Sequence, residues 1–146
     1  MISLGNHFVP EVQESGFYQE EFSKTGKPFR WTDGNARLVI PIDRRKPPTG
    51  LVVELDIIRP EEGKTAWVQI VANNRVLIKQ QIALWKWQGG TAGKFPAKSL
   101  DLTGIDLGDE LVLDIISDTF IPKMGQRTLG VVVNGVELRR EAPAPQ

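Results

Sequence analysis

Leu51-Val-Val-Glu-Leu-Asp-Ile-Ile58, Thr65-Ala-Trp-Val-Gln-Ile-Val71 and Arg75-Val-Leu-Ile-Lys-Gln-Gln-Ile82 are three consecutive runs that decide the fold class. In an extended chain, side chains alternate between two faces. Leu51, Val53, Leu55 and Ile57 then share one face, and Val52, Glu54, Asp56 and Ile58 share the other. The first face is wholly apolar and is the expected core face. In the second run Ala66, Val68 and Ile70 point one way, and Trp67, Gln69 and Val71 the other. Ala72-Asn-Asn separates the second and third runs. Asparagine tolerates a left-handed backbone, so Asn73-Asn74 reads as a two-residue hairpin turn.

The same grammar holds outward from this region. The 14 Gly and 10 Pro fall between short apolar and β-branched runs. No stretch of helical length carries an apolar stripe at i, i+3, i+4, i+7. Residues 17–22 read as a first strand and 37–42 as a second. Pro41 has no N–H, so it sits at a sheet edge or at the strand's end. Residues 44–50 are a Pro-rich loop, 59–64 (RPEEGK) a turn, and 84–95 the least regular segment. A turn-rich stretch at 103–109 precedes a strand at 110–116. Residues 128–133 and 136–139 flank Asn134-Gly135, the strongest short hairpin signal. Roughly eight to ten strands make an all-β, two-sheet antiparallel β-sandwich. Long irregular connections beside tight hairpins favour jelly-roll wiring over other Greek keys. The 146 residues suit one domain: an N-terminal arm over 1–14, the sandwich over 15–140 and a Pro-rich tail over 141–146.

Composition narrows the chemistry. Lys+Arg and Asp+Glu both number 18, giving a formal net charge of +0. Such a chain has no general field for nucleic acid or anionic membrane. No apolar run approaches the ~18 residues of a membrane span. With no Cys there are no disulfides, thiolate metal sites or Cys nucleophiles, and one His makes no multi-His centre. His7 has no Ser or Cys motif to serve. Phosphate-cradling glycine loops are absent. Glu20 and Glu21 point to opposite faces if extended, Glu61-Glu62 is a neighbouring pair in a turn, and nothing nominates two carboxyls across a cleft. The expectation is a non-enzymatic chain with no cofactor. The N-terminus has no basic n-region and no apolar h-region, so a cytoplasmic location, or a piece of a larger protein, is expected.

Two groups of residues carry a resemblance. One is Gly16-Phe-Tyr-Gln-Glu20, Pro28-Phe-Arg-Trp-Thr-Asp-Gly34 and Ala36-Arg-Leu-Val-Ile-Pro-Ile42. The other is Ile116-Ser-Asp-Thr-Phe-Ile-Pro122, Arg127-Thr-Leu-Gly-Val131 and Val136-Glu-Leu138. Over residues 15–140 the chain resembles galactose-binding-like jelly-roll domains, similar to carbohydrate-binding modules attached to bacterial glycosyltransferases and surface-polysaccharide proteins. The resemblance implies a non-catalytic role, with a glycan or a host glycosyltransferase as partner. It carries no catalytic residue over. The alternative is a structural or protein-interaction module that docks or forms a homo-oligomer through an exposed aromatic face.

A sugar offers flat C–H faces and a rim of hydroxyls, so its site needs an exposed aromatic and planar polar side chains. Trp85 and Trp87 share a face if residues 85–87 are extended, with Gln88 and Gly89-Gly90 following. They are the first ligand-binding candidates; the competing reading has the indoles capping the core. Trp67 and Gln69 are the next, either exposed or covering a second sheet face. Trp31 reads as structural, beside an Asp33-Gly34 turn. Arg30 and Arg127 read as clamps between chain segments, or as ligand contacts. Asp101, Asp106 and Asp109 lie among turn glycines and are weak Ca²⁺ candidates; solvated turn chemistry accounts for them better. The basic runs 44–46 and 139–140 read as solvated surface.

Overall fold

The computed structural model describes residues 2–3, 12–59, 65–87, 90–95, 99–122, 125 and 127–140. Among these residues the chain is all-β. The strands are β1 (Ile2–Ser3), β2 (Gln13–Phe17), β3 (Glu21–Phe22), β4 (Pro28–Pro41), β5 (Gly50–Arg59) and β6 (Thr65–Ala72). They continue with β7 (Arg75–Ala83), β8 (Trp85–Trp87), β9 (Gly90–Phe95), β10 (Ser99–Asp101), β11 (Glu110–Ser117) and β12 (Val132–Arg139). All pairings between them are antiparallel.

Two sheets face each other. One runs β1-β12-β5-β9-β8, with β10 beside β5. The other runs β2-β4-β11-β6-β7. The pairs β1/β12, β4/β11, β5/β9 and β6/β7 nest, the first strand against the last and inward to the β6/β7 hairpin. A long hairpin rolled up in this way is a jelly roll.

The core lies between the sheets, where burial of apolar surface drives their packing. Ala36, Leu38 and Ile40 of β4, Leu51, Val53, Leu55 and Ile57 of β5, and Ala66, Val68 and Ile70 of β6 belong to one cluster. Leu111, Leu113 and Ile115 of β11 and Val133, Val136 and Leu138 of β12 complete it. The inward faces read from the sequence for β5 and β6 are the buried ones. The β6/β7 turn is at Asn73-Asn74, with φ of 46° and 67°. The Asn73 side chain pins the neighbouring strand: Val112 N–H donates to its Oδ1 at 2.6 Å.

The structure corrects four sequence expectations. Residues 17–22 are not one strand. β2 ends at Phe17 and β3 begins at Glu21, and between them Tyr18 N–H bonds Trp31 O and Tyr18 O accepts from Arg30 Nε. Asp33-Gly34 is not a turn, because β4 runs through it. The first part of β4 pairs β12 (Trp31↔Val132) and the last part pairs β2 and β11. Gly34, at φ 97°, joins the two parts. Asn134-Gly135 is not a hairpin turn either: it lies inside β12, which pairs β5 on both sides of it. Residues 13 and 14, read as arm, lie in β2, and Val12 is buried. By contrast, β4 does end at Pro41, and residues 84–95 contain the short hairpin β8/β9. His7, Glu61, Glu62 and the 141–146 tail lie outside the described residues.

Candidate functional site

The inward set of β5 fixes the outward one: Glu54, Asp56 and Ile58 face away from the core. Cross-strand register then builds rows on this outer face. Asp56 stands opposite Lys94, Ile58 opposite Ala92, and Ala92 opposite Trp85. Two adjoining depressions result. The smaller, about 240 Å³, is lined by Asp56, Ile58, Trp85, Ala92 and Lys94 among others. The larger, about 480 Å³, is lined by Lys27, Pro28, Glu54, Asp56, Lys94 and Asn134 among others. Asp56 and Lys94 line both, so the two depressions adjoin, and together they are called the groove.

Trp85 is 51 % exposed at one end of the groove, which leaves much of a large apolar ring in water. At the groove's middle, Asn134 Nδ2 donates to Asp56 Oδ2 at 2.9 Å. Asn134 reaches that position because the register shifts between Val133 and Gly135, a bulge that leaves it as the extra residue. The arrangement combines an apolar ring with carboxylate, amide and ammonium groups. It can stack a flat apolar face and hydrogen-bond a polar rim.

The other sequence candidates lie elsewhere. Trp67 and Gln69 face outward from β6, in the opposite sheet, and do not join Trp85. Trp67 is partly buried, with Lys79 Nζ 5.8 Å from its ring centroid. The side chain of Trp87 and all of Gln88 lie outside the described residues. Arg30 is buried and forks onto Glu14, and its guanidinium lies 5.3 Å from the Phe17 ring centroid. Arg127 covers the Tyr18 ring at 4.7 Å and lies 3.9 Å from Glu21. Trp31 meets Phe120 edge to face at 5.7 Å.

The three aspartates do not converge on a cation. Asp101 accepts from Thr103 N–H and Oγ1–H, which hold its carboxyl below the ordinary 3.8. Asp106 accepts from Gly108 N–H, and Asp109 pairs with Arg44. Among the described residues no group of three His, Cys, Asp or Glu could hold a metal ion. Each carboxylate serves its own turn or ion pair.

Sequence reading missed Arg59, which it placed in a turn. Its buried guanidinium donates to Gly130 O at 2.7 Å and to Asp118 Oδ1 at 2.8 Å, and stacks 4.8 Å from the Phe120 centroid. Burial lowers its pKa, while Asp118 acts in the opposite direction. It also missed Lys94 and Asn134 as groove residues. Alternation alone placed Glu54 and Asp56 on the outer face, but only register brings Lys94 and Asn134 beside them. No helix among the described residues is long and apolar enough to cross a membrane.

No family model and no curated protein matches the chain. Among solved structures it is similar to the carbohydrate-binding module TmCBM27, described for specific mannan recognition. The identity is 15 %, the match covers 90 % of each chain, and the TM-score is 0.47.

Proposed function

We propose that the groove on the outer face of the β12-β5-β9-β8 sheet binds a glycan weakly and without catalysis, and that the domain directs a glycosyltransferase or other polysaccharide partner to that glycan. One observation carries this reading: the exposed Trp85 ring lines a depression with Asp56 and Lys94, and these two also line the adjoining one with Asn134. The ring supplies a stacking platform for sugar C–H faces, and the polar groups meet hydroxyls. The groove is open and has one exposed aromatic, since Phe95 at its wall is buried, which favours modest affinity. Affinity electrophoresis against a panel of soluble polysaccharides tests the reading, with Trp85→Ala beside the wild type. Binding that the substitution removes, with an unchanged Tm, supports it. A folded wild type that binds nothing on the panel overturns it.

A second reading has its own observation. Phe22 and Ile121 are each 63 % exposed and neither lines the groove. Exposed apolar residues also mark protein-binding surfaces. A stable oligomer by light scattering, together with no glycan affinity, would favour a docking module.

A further inference from the structure

We infer that Asn134 is a positioning residue for Asp56, and that the groove they share takes a neutral, hydroxyl-rich sugar segment. This rests on the glycan reading of the groove.

Strand phase is the first support. Val133 and Val136 both belong to the core cluster although they are three residues apart. A regular strand cannot turn both inward. The bulge absorbs the odd step, and its extra residue is an amide placed over the groove rather than a further valine. Bulges commonly re-aim a side chain in this way.

The hydrogen bond is the second. Asn134 Nδ2–H holds Asp56 Oδ2 at 2.9 Å. One carboxylate oxygen is thereby fixed and the plane of the group set. Oδ1 is left to accept from a ligand, since a carboxylate has several acceptor positions.

The balance of donors and acceptors is the third. Glu54 lies two residues before Asp56 on the same face and lines the same groove. Two carboxylates and the Asn134 side-chain carbonyl make the middle of the groove rich in acceptors. Sugar hydroxyls can donate to all of them. With Lys27 and Lys94 beside Glu54 and Asp56 the groove carries no net charge, so a uronate or phosphate gains no net attraction there, whereas sugar hydroxyls can both donate and accept. Lys27 and Lys94 remain to donate to hydroxyl or ring oxygens.

The test titrates the whole chain with dextran, mannan and xylan as neutral probes and with polygalacturonate as an acidic one. Asn134→Ala, Asp56→Ala and the double variant form a cycle on the best neutral probe. Each single change is expected to weaken binding about tenfold. The double variant should lose no more than Asp56→Ala, because Asn134 acts through Asp56. Asn134→Asp keeps the side-chain shape but sets a second carboxylate against Asp56, so it should lose at least as much as Asn134→Ala. Its Tm shows whether the bulge survives. Additive losses, wild-type binding by Asn134→Ala, or tighter binding of polygalacturonate would each overturn the inference. The two readings fail differently. If the folded wild type binds no probe, the glycan reading falls and takes this one with it. If Trp85→Ala abolishes binding while the Asn134 variants bind normally, this inference alone falls.

Discussion

Arg30 and Glu14 form a two-pronged ion pair, Nη1 to Oε2 at 2.6 Å and Nη2 to Oε1 at 2.7 Å, that ties β4 to β2. The Arg30 side chain is 11 % exposed and also donates through Nε to Tyr18 O at 2.7 Å. Every prong of the fork is aimed at chain rather than at solvent. A lysine cannot make this pattern. Glu14→Gln should cost about 2 kcal/mol, because it leaves a poorly solvated guanidinium short of its counter-charge. Arg30→Lys should cost at least as much. Urea unfolding of both variants measures this, and wild-type midpoints would show that the pair contributes nothing.

Gly34 should resist any side chain. Its φ of 97° is left-handed, and an added Cβ would collide with Thr119 Cγ2. Gly26 has φ +83° with nothing within 4 Å of the same atom. Gly26→Ala therefore carries backbone strain alone, about 1–2 kcal/mol. Gly34→Ala adds a clash in a buried region and should exceed it by about 1–3 kcal/mol. Equal losses in equilibrium unfolding would mean that Thr119 simply moves aside.

The Asp101 turn should leave a signature in acid. The Thr103 hydroxyl, then its N–H, favour the charged carboxylate, so the folded pKa lies below the ordinary 3.8. A depressed folded pKa gives stability that is full above the unfolded value and lost as pH falls through the folded one. Asp101→Asn should thus be less stable than wild type near neutrality. The gap should close below about pH 4, where the unfolded carboxyl protonates. Thermal melts at several pH values check this; a gap constant with pH would assign the effect to shape rather than charge.

Trp67 should be dispensable for glycan binding. It faces outward from β6 on the sheet opposite the groove. Trp67→Ala is expected to leave affinity for the best neutral polysaccharide unchanged, while Trp85→Ala removes it. Loss of binding in both would require a ligand that wraps around the sandwich edge.

Short-range pattern made much of this fold legible. Alternation over residues 51–58 marked the buried face of β5, and Asn73-Asn74 marked a true left-handed turn. Asn134-Gly135 carries an equally strong local signal, yet neither residue has a positive φ. The difference is not local. β5 offers partners to Val132 and Val133 and again to Val136 and Leu138, so the ladder continues and the extra residue bulges out. Asp33-Gly34 misled for a related reason, since β11 and β12 claim the two parts of β4 from opposite ends of the core. The groove was half visible. Trp85 and the outward face of β5 could be read from the chain. Lys94 and Asn134 join them only through pairing with strands some 40 to 80 residues apart in sequence.

Because β4 is hydrogen-bonded to β12 at one end and to β2 and β11 at the other, it is a strand of both sheets. The sheets are stitched through one backbone as well as pressed together by their side chains. Neither can open while the other stays shut without tearing β4 at Gly34. Amide protons on β5 and on β11, in opposite sheets, should therefore exchange through the same global opening and report one free energy. The chain must also bring distant segments together before β4 has partners on both sides, which slows folding. The strand that makes the sandwich a single cooperative unit is thus expected to make its assembly slow.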